Sequence, residues 1–180
     1  MTKKTILWIT RTAVFTALLV SLQFVSAPMG SHYLTGSLVN LTLAVSVMIC
    51  GLATGLTVAA MSPVFAWLAG LGSPFAQLIP FIALGNMSLV VVWKIMGGLG
   101  GRHKAFYFLA PFAAAIVKFA ALYTGIVLIA VPYILELNSN QAAAISLTFS
   151  YPQIITASIG GIAALTVISP IKKAIKPRGG

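Results

Sequence analysis

Apolar runs of about 20 residues, the length a helix needs to cross a bilayer, follow one another along nearly the whole sequence and leave no room for a soluble domain larger than a loop. They are separated by short Gly, Pro, Asn and Ser punctuation, which ends helices by backbone freedom, by a missing N–H or by side-chain competition. The pattern predicts an all-α integral membrane bundle of six transmembrane helices forming a single domain over residues 1–180. The expected spans cover roughly residues 6–26, 35–50, 53–71, 75–96, 106–132 and 142–169. Pro152 lacks an amide hydrogen and should kink the sixth span or delay its start. Gly51 should make a tight turn between the second and third spans.

Composition agrees. Only 7% of residues are charged and the mean hydropathy is +1.04, whereas soluble globular chains carry about 25% charged residues. The formal charge of +10 does not indicate nucleic acid, because the cations form short clusters between apolar runs, as membrane topology requires. Lys3, Lys4 and Arg11 form one cluster; Lys94, Arg102 and Lys104 a second; Lys172, Lys173, Lys176 and Arg178 a third. With a cytoplasmic N-terminus and six spans, all three fall inside, while the three outer loops carry no Lys or Arg and the sole acid, Glu136, falls outside. The expectation is a multi-pass protein of a prokaryotic cell membrane with both termini cytoplasmic. The first segment vaguely resembles a signal peptide, but Arg11 interrupts its apolar run and Pro28 would follow the cleavage point, so it reads as a retained helix.

The polar side chains are unevenly spread. Gln23, Asn40, Gln77 and Gln153 lie toward the outer ends of their spans. Asn86 and Lys118 lie near mid-membrane, roughly 12–21 Å from either helix end at 1.5 Å rise per residue. The inner halves hold little beyond Ser and Thr, which can bond their own backbone. Tyr33, Trp67, Tyr123, Tyr133 and Tyr151 are also biased outward. This arrangement suits a pocket open to the outside and closed below.

Lys118 shares a helix face with Pro111, Ala114, Ala115, Ala121 and Gly125, a stripe of small residues that lets a helix or a ligand approach closely. No acid is present in any span to pair with it. Facing a ligand and snorkelling along its own helix are both open to it. The candidate substrate-binding residues are Lys118, Asn86, Gln153, Asn40, Gln77, Tyr123 and Tyr151. Interhelical hydrogen bonding is the alternative role for the amides, and an interfacial aromatic belt for the tyrosines and Trp67. His32 and Tyr33 fall on the first outer loop, where they could cover the pocket or be solvated.

Several chemistries lack their residues. The glycines at 97–101 lead into Arg102-His103-Lys104, so the phosphate-loop spacing fails. Both histidines fall in loops on opposite sides, and a single cysteine, Cys50, gives neither a disulfide nor a Cys-based metal site. No catalytic residue, metal or cofactor is expected on this chain. What remains is a selective binder driven by a partner.

Two short segments, Thr35-Gly36-Ser37-Leu38-Val39-Asn40 and Pro80-Phe81-Ile82-Ala83-Leu84-Gly85-Asn86, together with Ala13-Val14-Phe15-Thr16-Ala17 just after Arg11, resemble the S-components of energy-coupling factor (ECF) transporters. These are the substrate-specific subunits of prokaryotic vitamin importers. The resemblance extends over nearly the whole chain in size, span count and helix order. It implies that Ala13 and Ala17 dock onto an ECF transmembrane scaffold subunit, which works with two ABC-type ATPases that consume ATP. It also implies capture of a vitamin-like small molecule under the loop joining the first two helices, between the fourth, fifth and sixth. Lys118 without membrane acids makes cationic ligands less suitable than neutral or anionic ones. A self-contained oligomeric transporter or channel, or a structural membrane subunit, are the competing expectations.

Overall fold

The computed structural model describes residues 2–100 and 103–175; Arg102, Lys176 and Arg178 of the cation clusters lie outside them. Seven principal helices follow in order: α1 (Lys3–Ser26), α2 (His32–Cys50), α3 (Leu52–Leu68), α4 (Ile79–Leu99), α5 (Lys104–Leu122), α6 (Ser139–Thr148) and α7 (Pro152–Ile175). Among the described residues five stretches are long and apolar enough to cross a membrane: Lys3–Met29, His32–Cys50, Ala76–Leu99, Lys104–Tyr133 and Ser139–Ile175. A sixth apolar helix, α3, has 17 residues, about 26 Å at 1.5 Å per residue. The chain is therefore a multi-pass, all-helical membrane protein.

Local chemistry explains the boundaries. Ser31 Oγ accepts from the Leu34 amide and starts α2, three residues earlier than the sequence suggested. Gly51 adopts φ +92°, a conformation that disfavours any side chain, and turns the chain from α2 directly into α3. Asn138 and Gln141 cap α6 reciprocally. The sixth apolar run is broken: α6 ends at Thr148, and Pro152 occupies the first position of α7, where its missing N–H costs nothing. The fifth run continues past α5 through a π-helical segment, Tyr123–Ala130. π-Helix is rare and usually limited to one turn; eight residues of it gave no signal in the sequence.

α2 lies centrally, packed against α1, α3, α4 and α7, while α5 fills the gap between α4 and α7. Adjacent glycines make the α7 contacts possible. A Cβ on Gly160 would meet the Ser37 carbonyl and come within 2.8 Å of the Leu41 amide nitrogen on α2, and one on Gly161 would stand 2.7 Å from Pro111 Cβ on α5. The main core contains Leu43, Val58, Leu89, Trp93 and Ala114. A smaller cluster around Leu78, Leu122 and Phe149 sits at the end carrying the longer loops.

Candidate functional site

The close approach of α7 to α2 and α5 sets the site one turn before Gly160. There Lys118 Nζ of α5 donates to Asn40 Oδ1 of α2 at 2.7 Å, and Asn40 Nδ2 donates to Thr156 Oγ1 of α7 at 3.4 Å. A second bridge joins α4 to α3, with Asn86 Nδ2 donating to Ser62 Oγ at 3.1 Å. All five side chains are buried, Lys118 being 4% exposed. Both hydroxyls also donate to their own helix, Ser62 to the Ala59 carbonyl and Thr156 to the Gln153 carbonyl. Each hydroxyl thus satisfies its backbone and still accepts from an amide.

The two bridges line a cavity of about 370 Å³. Its walls come from the end of α1 (Gln23), the first turns of α2 and α4, the end of α3 (Trp67), the last turns of α5 (Lys118, Leu122), and the break between α6 and α7. The floor is apolar for a geometric reason. One turn beyond four of these five polar residues, on the same helix face, stands Leu43 after Asn40, Leu89 after Asn86, Val58 before Ser62 and Ala114 before Lys118, all essentially inaccessible. Polar wall and greasy plug are successive turns of the same helices.

The charges obey the same division. Helix by helix, cations lie away from the cavity: Lys3 and Lys4 open α1, Lys94 is late in α4, Lys104 opens α5, and Lys172 and Lys173 end α7, whereas Glu136 sits in the loop before α6. Among the described residues Lys118 is the one Lys or Arg that lines the cavity.

Of the sequence-derived candidates, Lys118, Asn40, Asn86, Gln153 and Tyr151 all line this cavity. Gln153 does so with its Nε2 donating to the Thr148 carbonyl at 3.1 Å, which bridges the break between α6 and α7. Tyr151 is half exposed at the rim. Gln77 and Tyr123 do not line it, and both assignments are corrected here. Gln77 is exposed on the short 3₁₀ turn Ala76–Leu78, whose inward position is taken by fully buried Leu78. Tyr123 follows Lys118 by five residues, which turns it about 140° away at 3.6 residues per turn; Leu122 takes the cavity position and Tyr123 packs on Phe119 instead. His32, Tyr33, Trp67 and Gln23 are lining residues that the sequence left between alternatives or outside the site. Ser62 and Thr156 were missed because a hydroxyl that can bond its own helix gives no sign of a second partner.

Among the described residues no three of His, Cys, Asp and Glu gather as a metal ion requires. Ala13 and Ala17 are both exposed on α1, the least buried of the long apolar stretches. Comparison with protein-family models, with characterised proteins and with solved structures finds no match.

Proposed function

We propose that this chain is a substrate-binding membrane subunit of an ECF-type importer, capturing a vitamin-like small molecule in the cavity described above. The observation that carries the reading is the cavity itself: a polar-walled recess at one end of an apolar bundle, sealed by a fully buried plug one turn deeper. A channel or self-contained carrier needs a polar path or a coupling carboxylate through the bundle, and the plug offers neither. Binding on one side with transport powered elsewhere is the economical use of such a shape.

Orientation follows from the cations. Lys and Arg accumulate on cytoplasmic segments, so the cavity end faces outward and both termini lie in the cytoplasm of a prokaryotic cell. Capture from outside then requires a partner that moves the loaded subunit. Exposed Ala13 and Ala17 on α1 give a helix of another chain a surface on which backbones can approach closely. The partner implied by the resemblance is the ECF scaffold subunit carrying two ABC-type ATPases, so ATP is consumed outside this chain.

The test combines binding and uptake. Purified protein in detergent is screened against a vitamin panel by thermal shift, and uptake of any hit is measured in cells with and without the scaffold and ATPases. The reading expects a bound solute whose uptake stops when the partner subunits are deleted. Uptake that continues without them, or no bound solute, would contradict it.

A further inference from the structure

We infer that the solute held in this cavity is a small monocarboxylate, its carboxylate on Lys118 and a second polar group within reach of Gln23. The inference rests on the cavity being a solute site and specifies the chemistry of that solute.

Charge balance comes first. Lys118 is 4% exposed, and the sole acid of the chain, Glu136, does not line the cavity. An ammonium has three N–H donors. One is spent on Asn40 Oδ1 at 2.7 Å, and the other two have no protein acceptor among the described residues. An empty cavity can hydrate them. A solute that fills the cavity expels that water, and an uncompensated ammonium in an apolar bundle costs far more than a missing hydrogen bond. The amine must then either give up its proton or meet a countercharge, and a solute that carries one keeps it charged and paired. One cation balances one negative charge, which favours a carboxylate over a dianionic phosphate and disfavours a cation.

The rest of the wall describes the rest of the molecule. Val39, Ile79, Ile82, Leu122 and Trp67 line the space around the polar residues and call for an apolar body. Gln23 is 8% exposed and lines the cavity, yet its carboxamide makes no hydrogen bond with the protein among the described residues, and its Oε1 is buried without a partner. A buried amide left this way is costly unless a partner arrives. Gln23 stands on α1, whereas Lys118 and Asn40 meet between α5 and α2, so the two polar stations lie on different walls of the same cavity. The solute thus carries a second polar group beside its anion. Its size is bounded by the cavity, whose 370 Å³ equals about a dozen waters at ~30 Å³ each.

Matched acid and amide pairs test this directly. Equilibrium binding of the full-length protein in detergent is measured for nicotinate and nicotinamide, p-aminobenzoate and its amide, lipoate and lipoamide, and biotin and biotinamide. At least one acid should bind, with its amide at least tenfold weaker. Lys118→Met should weaken that acid by roughly a hundredfold, the scale for removing one partner of a buried charged pair, and bring the acid-to-amide ratio near one. Gln23→Leu should weaken it by roughly tenfold. An amide binding as tightly as its acid, or acid preference surviving in Lys118→Met, would overturn the inference while leaving the solute site intact. Failure of every acid and amide to bind at millimolar concentration would overturn both. The wild-type comparison holds even if a variant does not fold.

Discussion

Replacing Asn40 by leucine probes the link on which the site's geometry depends. Leucine has the same number and branching of side-chain heavy atoms, so the change removes hydrogen bonds without opening a hole. Two bonds are lost: the 2.7 Å bond from Lys118 and the 3.4 Å bond to Thr156. A hydrogen bond to a charged group contributes about 1.5–3 kcal/mol, and a long neutral one about 0.5 kcal/mol. Asn40→Leu should therefore destabilise the fold by about 2–3 kcal/mol, cavity water offsetting part of the loss. Lys118→Met leaves Asn40 Oδ1 without its donor and should cost about 1–2 kcal/mol. The double variant replaces both partners by apolar groups of similar shape and should cost about 1 kcal/mol or less, because no buried donor or acceptor is orphaned. The cycle then gives a coupling of at least about 2 kcal/mol, well above the ~0.5 kcal/mol scatter of independent sites. Unfolding by SDS titration in mixed micelles, followed by tryptophan fluorescence from buried Trp93, provides the measurement. Additive losses within ~0.5 kcal/mol would refute the bond as a working contact.

Further predictions come from other parts of the bundle. Ala13→Leu combined with Ala17→Leu should abolish co-purification with the scaffold subunit and leave solute affinity unchanged; lost affinity with intact assembly would contradict the docking assignment. Gly160→Val must push α7 off α2 and should cost at least about 2 kcal/mol with a matching fall in solute affinity, whereas Gly98→Ala, where an added Cβ meets nothing within 4 Å, should leave the SDS midpoint and the affinity unmoved. Gln77→Ala and Tyr123→Phe should bind solute as the wild type does in a titration. In intact cells, Ser31→Cys in a Cys50→Ala background should react with a membrane-impermeant maleimide and Lys4→Cys should not; the reverse labelling would invert the orientation.

Much of this was legible because membrane chains write their rules in plain residue types. Apolar runs gave the helices, Gly51 and Pro152 gave a turn and a break, and the scarcity of charge made Lys118 conspicuous. Asn40 and Asn86 stood out because an amide in hydrocarbon needs a partner, and in the structure each amide both bridges helices and lines the cavity. What the sequence withheld was rotation and pairing. Gln77 and Tyr123 had the right depth but the wrong azimuth, which depends on a 3₁₀ turn and on helix phase. Ser62 and Thr156 are silent in one dimension, since their partners stand on other helices. Gln23 was visible as an outer amide, but its lack of a protein partner exists only once the helices are packed.

The central claim is that a solute occupies the recess above the plug. Native mass spectrometry of protein released from its own membranes tests it, beside Ala66→Phe, which puts a ring into the cavity that buried Ala66 lines. The account predicts one small molecule per wild-type chain and none on Ala66→Phe. A wild-type chain without adduct, or an adduct retained when the cavity is filled, would contradict it.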